Sequence, residues 1–356
     1  MAKTTGKKDK SDKAPRDYAL QSVGVIGAGA WGTALAQTVR RAGRDVVIWA
    51  HEIETVEDIN ANHANRVYLP GVSLDPSIRA TVRGADAAAC DVLLLVAPSP
   101  FMRQVATEIA PHVSERKPVV ICAKGFEEER EQLMSDLVAE VLPQADTAVL
   151  SGPSFASEVA RGLPAALTLA ARDEALGLAL IQALGSRSFR LYWTDDVIGA
   201  QVGGAVKNVL AIAAGVVDGR KFGANAHAAI TTRGFAELAR FGAAMGARPE
   251  TLTGLSGLGD LLLTCSSPQS RNMSLGQALG EGRSLEEVLG GRKSVSEGVH
   301  TVRAVVAMAQ KLDVEMPICE AVLAILTGAA SVDDAIDAVL SRPLRAESDR
   351  AAGKKA

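Results

Sequence analysis

The sequence predicts an α/β fold in two parts, a half built on a parallel sheet followed by an all-α half. Three observations carry this. Short β-rich runs alternate with helical patterns up to about residue 193, the rhythm of βαβ units. A glycine-rich turn, GAGAWG at 27–32, sits between the first strand and the first helix. From Thr194 onward, long Ala- and Leu-rich helical stretches follow one another with few β-branched runs.

The elements are expected in this order. Val23–Ile26 is a strand that runs into the glycine turn, and a helix follows from Ala30 to Ala42. Asp45–Ala50 is the second strand and Ile78–Val82 a candidate third. Asp91–Ala97 is nearly all apolar, as a strand covered on both faces is, and Pro98 stops it. Pro118–Ala123 is another such strand, with a helix at Leu133–Val141. Thr147–Leu150, Ala166–Ala170 and Phe189–Trp193 are further strands. The helical half then holds Gly203–Val217, His227–Met245, Ser274–Gly280, Leu285–Leu289, His300–Lys311, Cys319–Leu326 and Val332–Leu340. The expected divisions are a solvated arm at 1–21, a sheet domain at 22–193, a helical domain at 194–344 and a tail at 345–356.

Composition narrows the function. Hydrophobic residues make up 47% of the 356 residues and charged ones 22%, ordinary values for a globular chain that buries a core. With 38 basic against 41 acidic residues the net charge is −3, so nothing marks a nucleic-acid or anionic-membrane partner. No apolar run reaches the length of about 18 residues that a membrane helix needs. The best stretch is Val209–Val217. The Lys- and Asp-rich start lacks the apolar segment of a secretory signal. Cys90, Cys122, Cys265 and Cys319 form no CxxC pair and read as reduced, buried thiols. A cytoplasmic protein is expected. The five histidines show no metal spacing, and no HExxH, GxSxG or P-loop pattern occurs, so no metal is expected.

The glycine turn is a GxGxxG in a Rossmann-type setting. Gly27 allows the tight turn, Gly29 lets the backbone approach a pyrophosphate, and Gly32 lets helix and strand pack closely. The helix N-terminus then offers free N–H groups to the phosphates. An NAD site usually closes the second strand with an acid for the ribose 2′-hydroxyl. Here Ala50 and His51 stand at that end, with Glu52 just beyond. No acid at the tip repels a 2′-phosphate and His51 can donate to one, so NADP(H) is favoured, with NAD(H) possible.

Several windows can carry chemistry. Lys207 lies in an otherwise apolar helix, where desolvation would lower its pKa and make it a usable acid or base. A stem that snorkels to water explains the same lysine. Asp260, between a glycine-rich turn and an apolar run, needs a partner if buried, or else caps a helix. Ser270-Arg271-Asn272 at a helix start suits an anion, or is a cap beside a surface arginine. Lys124 and the stretch Ser151-Gly152-Pro153-Ser154 follow strands, at the sheet edge where ligands bind.

Taken in order, these windows resemble the bacterial type of NAD(P)-dependent glycerol-3-phosphate dehydrogenase over about residues 22–330. The likeness rests on GAGAWGTALA at 27–36, NANHANRVYLPG at 60–71, the Pro98-Ser99 turn and Ala123-Lys124-Gly125-Phe126-Glu127. It continues through LSGPSFASEVARG at 150–162, GGAVKNVLAIAAGVVDG at 203–219, TTRGFAELAR at 231–240, GLSGLGDLLLTC at 254–265, SRN at 270–272 and SEG at 296–298. The resemblance implies a Rossmann-type N-terminal domain and an all-α domain like the C-terminal domain of 6-phosphogluconate dehydrogenase. It implies hydride transfer between a nicotinamide and C2 of dihydroxyacetone phosphate, giving sn-glycerol 3-phosphate for phospholipid synthesis, in a homodimer.

By the same resemblance, Lys207 is the proton donor and acceptor. Asp260 positions it and the substrate. Lys124 touches substrate and cofactor, Gly152 and Ser154 line the substrate side, and Ser270, Arg271 and Asn272 clamp the phosphate. Ala30, Trp31, His51, Ala156, Arg271, Val295 and Glu297 join Gly27, Gly29 and Gly32 as cofactor contacts. Ala30, where some members carry Ser, and Phe126, where Ile is common, are mild departures. A 2- or 3-hydroxyacid dehydrogenase on the same two-domain plan is the competing expectation.

Overall fold

The structure, a computed structural model, describes residues 18–290 and 296–343. Most of the expected arm and all of the expected tail lie outside these residues, as does Val295. The described end of the arm is part of the fold. Leu20 is buried, and the Gln21 and Ser22 amides donate to Asp91 Oδ2 at 2.9 and 2.8 Å.

Eight strands form the main sheet: β1 Ser22–Ile26, β2 Asp45–Trp49, β3 Arg79–Thr81, β4 Val92–Leu95, β5 Pro118–Ile121, β6 Asp146–Ser151, β7 Ala165–Ala170 and β8 Phe189–Thr194. Their order is β8-β7-β6-β5-β4-β1-β2-β3. All pairs are parallel except β6 with β7, which run antiparallel through Val149↔Ala170. The segment joining those two holds only a short helix, Ala156–Ala160, too little for a crossover that restores the parallel direction. The sheet is thus largely parallel, as expected, with one reversal. Every residue of β4 and β5 is buried, which is why both read as unbroken apolar runs.

Helix α1, Ala30–Arg41, follows β1 and packs against the sheet. A Cβ on Gly32 would stand 1.9 Å from the Gly27 carbonyl oxygen, so only glycine permits this approach. Helices at Ile53–Asn62, Met102–Ile109 and Glu174–Leu184 escaped the sequence reading. The first two mix charge into short apolar patterns, and the third is apolar on nearly every side.

The second half is helical: α2 Val197–Gly219, α3 Ala224–Ala244, α4 Asp260–Ser266, α5 Arg271–Gly280, α6 Glu297–Lys311, α7 Pro317–Thr327 and α8 Val332–Leu340. Helix α2 starts six residues before the expected Gly203, because Asp196 caps it through the Gly199 amide at 2.8 Å. It corrects one expectation. An 18-residue window of α2 reaches a mean hydropathy of 1.5, long and apolar enough to cross a membrane, yet 94% of that window is buried inside the protein. Glycine and alanine supply the length that a count of large apolar residues misses. Helix α5 crosses α2 almost backbone to backbone. A Cβ on Gly276 would lie 2.0 Å from the Ile212 oxygen, and one on Gly215 would lie 2.0 Å from the Met273 oxygen.

One buried carboxyl ties two of these helices. Glu237 of α3, 2% exposed, accepts the Ile318 and Cys319 amides at 2.8 and 3.2 Å. It thereby caps α7, whose own N-cap Met316 offers no side-chain bond. Burial pushes this carboxyl from an ordinary 4.5 up to about 7, against the two amides, which lower it. The folded chain therefore holds a proton that the unfolded chain releases. The stabilisation is full below pH 4.5 and fades as pH rises through 7. Chemical denaturation of wild type and Glu237→Gln at pH 5 and pH 8 should show the variant gaining about 2 kcal/mol on wild type at the higher pH. Glu237→Ala should cost about 2–3 kcal/mol at pH 5, by orphaning two buried amides, and less at pH 8, where the wild type has lost the same pH-dependent stabilisation.

Candidate active site

The site gathers where the two halves meet. Lys124 leaves the C-terminal edge of β5, Lys207 rides on α2 and Asp260 opens α4. Asp260 is fully buried and Lys207 is 6% exposed. The Lys207 ammonium donates to Asp260 Oδ1 and to Thr264 Oγ1, both at 2.9 Å. Lys124 Nζ donates to the other carboxylate oxygen, Asp260 Oδ2, at 2.9 Å. It also reaches the Gly152 carbonyl at 2.8 Å and Ser154 Oγ at 3.3 Å. Of the two readings of Lys207, snorkelling to water is thus set aside. The alternative of Asp260 as a helix cap also falls, because its carboxylate is spent on the two lysines.

Local structure explains the placement. A Cβ at Gly203 would strike the Ser256 carbonyl at 2.4 Å, so glycine lets the 254–259 turn lie against α2. Residues 255–259 form one wide helical turn, which delivers Asp260 facing α2. Thr264, one turn later, donates to the Asp260 carbonyl at 2.6 Å while accepting from Lys207. Sequence reasoning gave Thr264 no role. The signal was its spacing of four from Asp260, which places both on one helix face.

The electrostatics follow from burial. Desolvation drives the Lys207 ammonium down to about 8, while Asp260 holds it up and Lys124 adds to the depression. Burial pushes the Asp260 carboxyl up, but the Lys124 and Lys207 charges outweigh it and hold the group below its ordinary value. Two ammonium groups share one carboxylate, and Glu297 adds a second negative charge that also holds Lys207 up. Cys265, beside it, is pushed up to about 12 by burial and stays a neutral thiol.

The other expected residues fall in two sets. Asn272 is drawn in indirectly: its Nδ2 donates to Asn208 Oδ1 at 3.0 Å, and Asn208 Nδ2 donates to the Lys124 carbonyl at 2.9 Å. The Gly298 amide donates to Asn272 Oδ1 at 3.1 Å, tying in the start of α6 beside Glu297. Ser270 is the N-cap of α5 and accepts the Met273 amide at 3.2 Å. Its helix starts at Arg271, three residues before the expected Ser274. Arg271 is exposed on that first turn.

The expected cofactor residues lie on the β1–α1 turn, past the end of β2, at the short helix after β6 and at the starts of α5 and α6. Gly27 takes φ +116°, and Gly29 borders open space, with nothing within 4 Å of a Cβ built there. Trp31 Nε1 is buried without a hydrogen-bond partner among the described residues. An open glycine cradle and an unspent donor at a helix N-terminus fit a dinucleotide. His51 is exposed past the end of β2, packed edge-on to Trp49 at 6.4 Å. Glu52 beside it accepts the Tyr68 hydroxyl at 3.1 Å. Ala156 opens the short helix after β6, and Glu297 opens α6.

Comparison with known proteins shows the family. Residues 22–177 match the family described as NAD-dependent glycerol-3-phosphate dehydrogenase N-terminus, and residues 196–337 match its C-terminus. The chain is 61% identical to the glycerol-3-phosphate dehydrogenase [NAD(P)+] of Parvibaculum lavamentivorans over 92% of its own length and 99% of the relative's. It is 58% identical to that of Caulobacter vibrioides, with the same coverage of both chains. Among solved structures, glycerol-3-phosphate dehydrogenase from Coxiella burnetii superposes with a TM-score of 0.87 at 39% identity, over 90% of this chain and 99% of that one. A ketopantoate reductase from Ralstonia eutropha, at 18% identity and a TM-score of 0.59, shares the fold alone. With both domain descriptions matched in order around one lysine–aspartate–lysine cluster, the chain belongs to the NAD-dependent glycerol-3-phosphate dehydrogenase family.

Proposed function

We propose that this chain interconverts dihydroxyacetone phosphate and sn-glycerol 3-phosphate with NAD(P)H, with Lys207 as the acid–base group. The observation that carries the reading is the buried cluster in which Lys207 and Lys124 share Asp260. The nicotinamide, when bound, supplies or takes the hydride at C2. The sheet domain, 22–193, holds the dinucleotide through Gly27, Gly29, Ala30, Trp31, Gly32, His51 and Ala156, with Arg271 and Glu297 reaching from the helical domain, 194–344. In reduction, Lys207 Nζ gives its proton to the ketone oxygen and stabilises the charge that develops there. In oxidation, the neutral amine takes the proton back. Asp260 keeps Lys207 oriented, and Thr264 fixes a second of its hydrogens. Lys124, Gly152, Ser154, Ser270, Arg271 and Asn272 form the substrate side, where Lys124 and Arg271 supply positive charge for a phosphate ester. NADP(H) is favoured because Glu52 is already engaged by Tyr68 while His51 is exposed at the strand end. The reading extends to a cytoplasmic homodimer that feeds phospholipid synthesis, on the strength of the family resemblance.

The direct test is absorbance at saturating dihydroxyacetone phosphate with NADPH, and NADH in parallel. Fast NADPH oxidation with slower NADH oxidation is expected. Oxidation of neither, with turnover of a 2- or 3-hydroxyacid instead, overturns the substrate.

Lys207→Ala should lower kcat at least about 10³-fold while the Kd for NADPH, read by its fluorescence, stays near wild type. Because Lys207 sits at about 8, reduction, which needs the ammonium, should fall as pH rises through that value. Oxidation of glycerol 3-phosphate, which needs the amine, should rise over the same range. Asp260→Asn removes the charge that holds Lys207 up, so the same limb should move to lower pH. An unmoved limb would mean that another group donates the proton.

A further inference from the structure

The motif at 60–71 carries part of the family likeness, yet apart from the bond of Tyr68 to Glu52 none of the chemistry above uses it. Its Asn65 lies in a two-stranded pair, Ala64–Asn65 with Leu69–Ser73, and is 1% exposed. Asn65 Nδ2 donates to the Ala28 carbonyl and to Thr33 Oγ1, both at 2.8 Å. Thr33 Oγ1 in turn donates to the same Ala28 carbonyl at 3.2 Å. The three groups close a ring inside the glycine turn. Asn65 Oδ1 accepts the Tyr68 amide at 3.1 Å, which fixes the orientation of the side-chain amide, so both ends of Asn65 are engaged.

The consequence lies in the next peptide. In a trans peptide the C=O and N–H point in opposite directions, and no described peptide is cis. Two donors hold the Ala28 carbonyl toward the protein, so the Gly29 N–H is turned the other way. Gly29 is the residue that borders open space. We propose that Asn65 is a positioning residue for the cofactor: through Ala28 and Thr33 it presets the Gly29 amide to donate to the pyrophosphate of a dinucleotide. This rests on the dehydrogenase reading above. It gives a role to a segment outside the glycine turn and more than 30 residues away from it in sequence.

The experiment titrates NADPH fluorescence into the full chain, with thermal melts and the KM for dihydroxyacetone phosphate in parallel. Asn65→Asp keeps the oxygen that Tyr68 uses and removes both donated bonds. Thr33→Val removes the hydroxyl with little change of shape. Each should raise the Kd for NADPH about tenfold and leave the substrate KM at saturating cofactor within about twofold. The double variant should be little weaker than either single one, because all three open the same ring. A wild-type Kd in either folded variant overturns the proposal, as does a substrate KM that rises as much as the cofactor Kd. If Asn65→Asp fails to fold, Thr33→Val decides. A wild-type chain that binds no NADPH would instead sink the dehydrogenase reading, and the strut with it.

Discussion

Asp260 is the constraint on which the rest depends. A carboxylate with no exposure to water is costly to leave unpaired, by several kcal/mol even after relaxation. Here each of its oxygens takes one lysine at 2.9 Å, and the two lysines come from different halves of the chain. Lys124 hangs from the end of β5, where Gly152 and Ser154 hold its ammonium from a second strand end. Lys207 comes from the middle of α2. The pairing is satisfied only when sheet and helices are docked in one relation. The interaction that shapes the site therefore also fixes how the domains meet.

Helix α2 makes that docking possible. It is covered on all sides, and its small residues let other backbones come within contact. Gly203 admits the Ser256 turn, Gly215 of α2 and Gly276 of α5 let those two helices meet, and the start of α6 comes against the Asn208 backbone at Gly298. Close approach is what allows short side chains such as Thr264 and Asn208 to reach across. A membrane would accept the apolar length of α2, but its centre carries Lys207. In this protein the charge is tolerated because Asp260 and Thr264 receive it.

Much of this was legible in the sequence, and the exceptions have physical causes. The strands of the parallel sheet were readable because burial on both faces writes a continuous apolar run, as in Val92–Leu95. The glycine turn was readable because Gly32 has no substitute at 1.9 Å from a carbonyl oxygen. The antiparallel return of β7 was not, since strand direction leaves no mark on composition. The early start of α2 was hidden because its cap, Asp196, precedes six residues without charge. Within the site, Lys207 and Asp260 stood out as charges in apolar settings, and Lys124 by its place at the sheet edge. The pairing of Asp260 with Lys207 came with the family resemblance; its pairing with Lys124 was not legible, because the two are separated by 136 residues. The polar residues Asn65 and Thr264 carry no anomaly along the chain. Their meaning lies in which carbonyl or ammonium the fold sets against them.

The difference between the two lysines also follows from counting hydrogens. An ammonium has three. Those of Lys124 have three acceptors: Gly152 O, Ser154 Oγ and Asp260 Oδ2. Lys207 has two among the described residues, Asp260 Oδ1 and Thr264 Oγ1, which leaves one hydrogen uncommitted there. Desolvation has already brought Lys207 down to about 8, near the working pH at which general acids and bases are most effective. Lys124, with its hydrogens committed, acts through its charge: it lowers Lys207 further and adds to the field that an anionic substrate meets. Asp260 balances the two: it takes one hydrogen from each, and its charge holds Lys207 up against desolvation and Lys124.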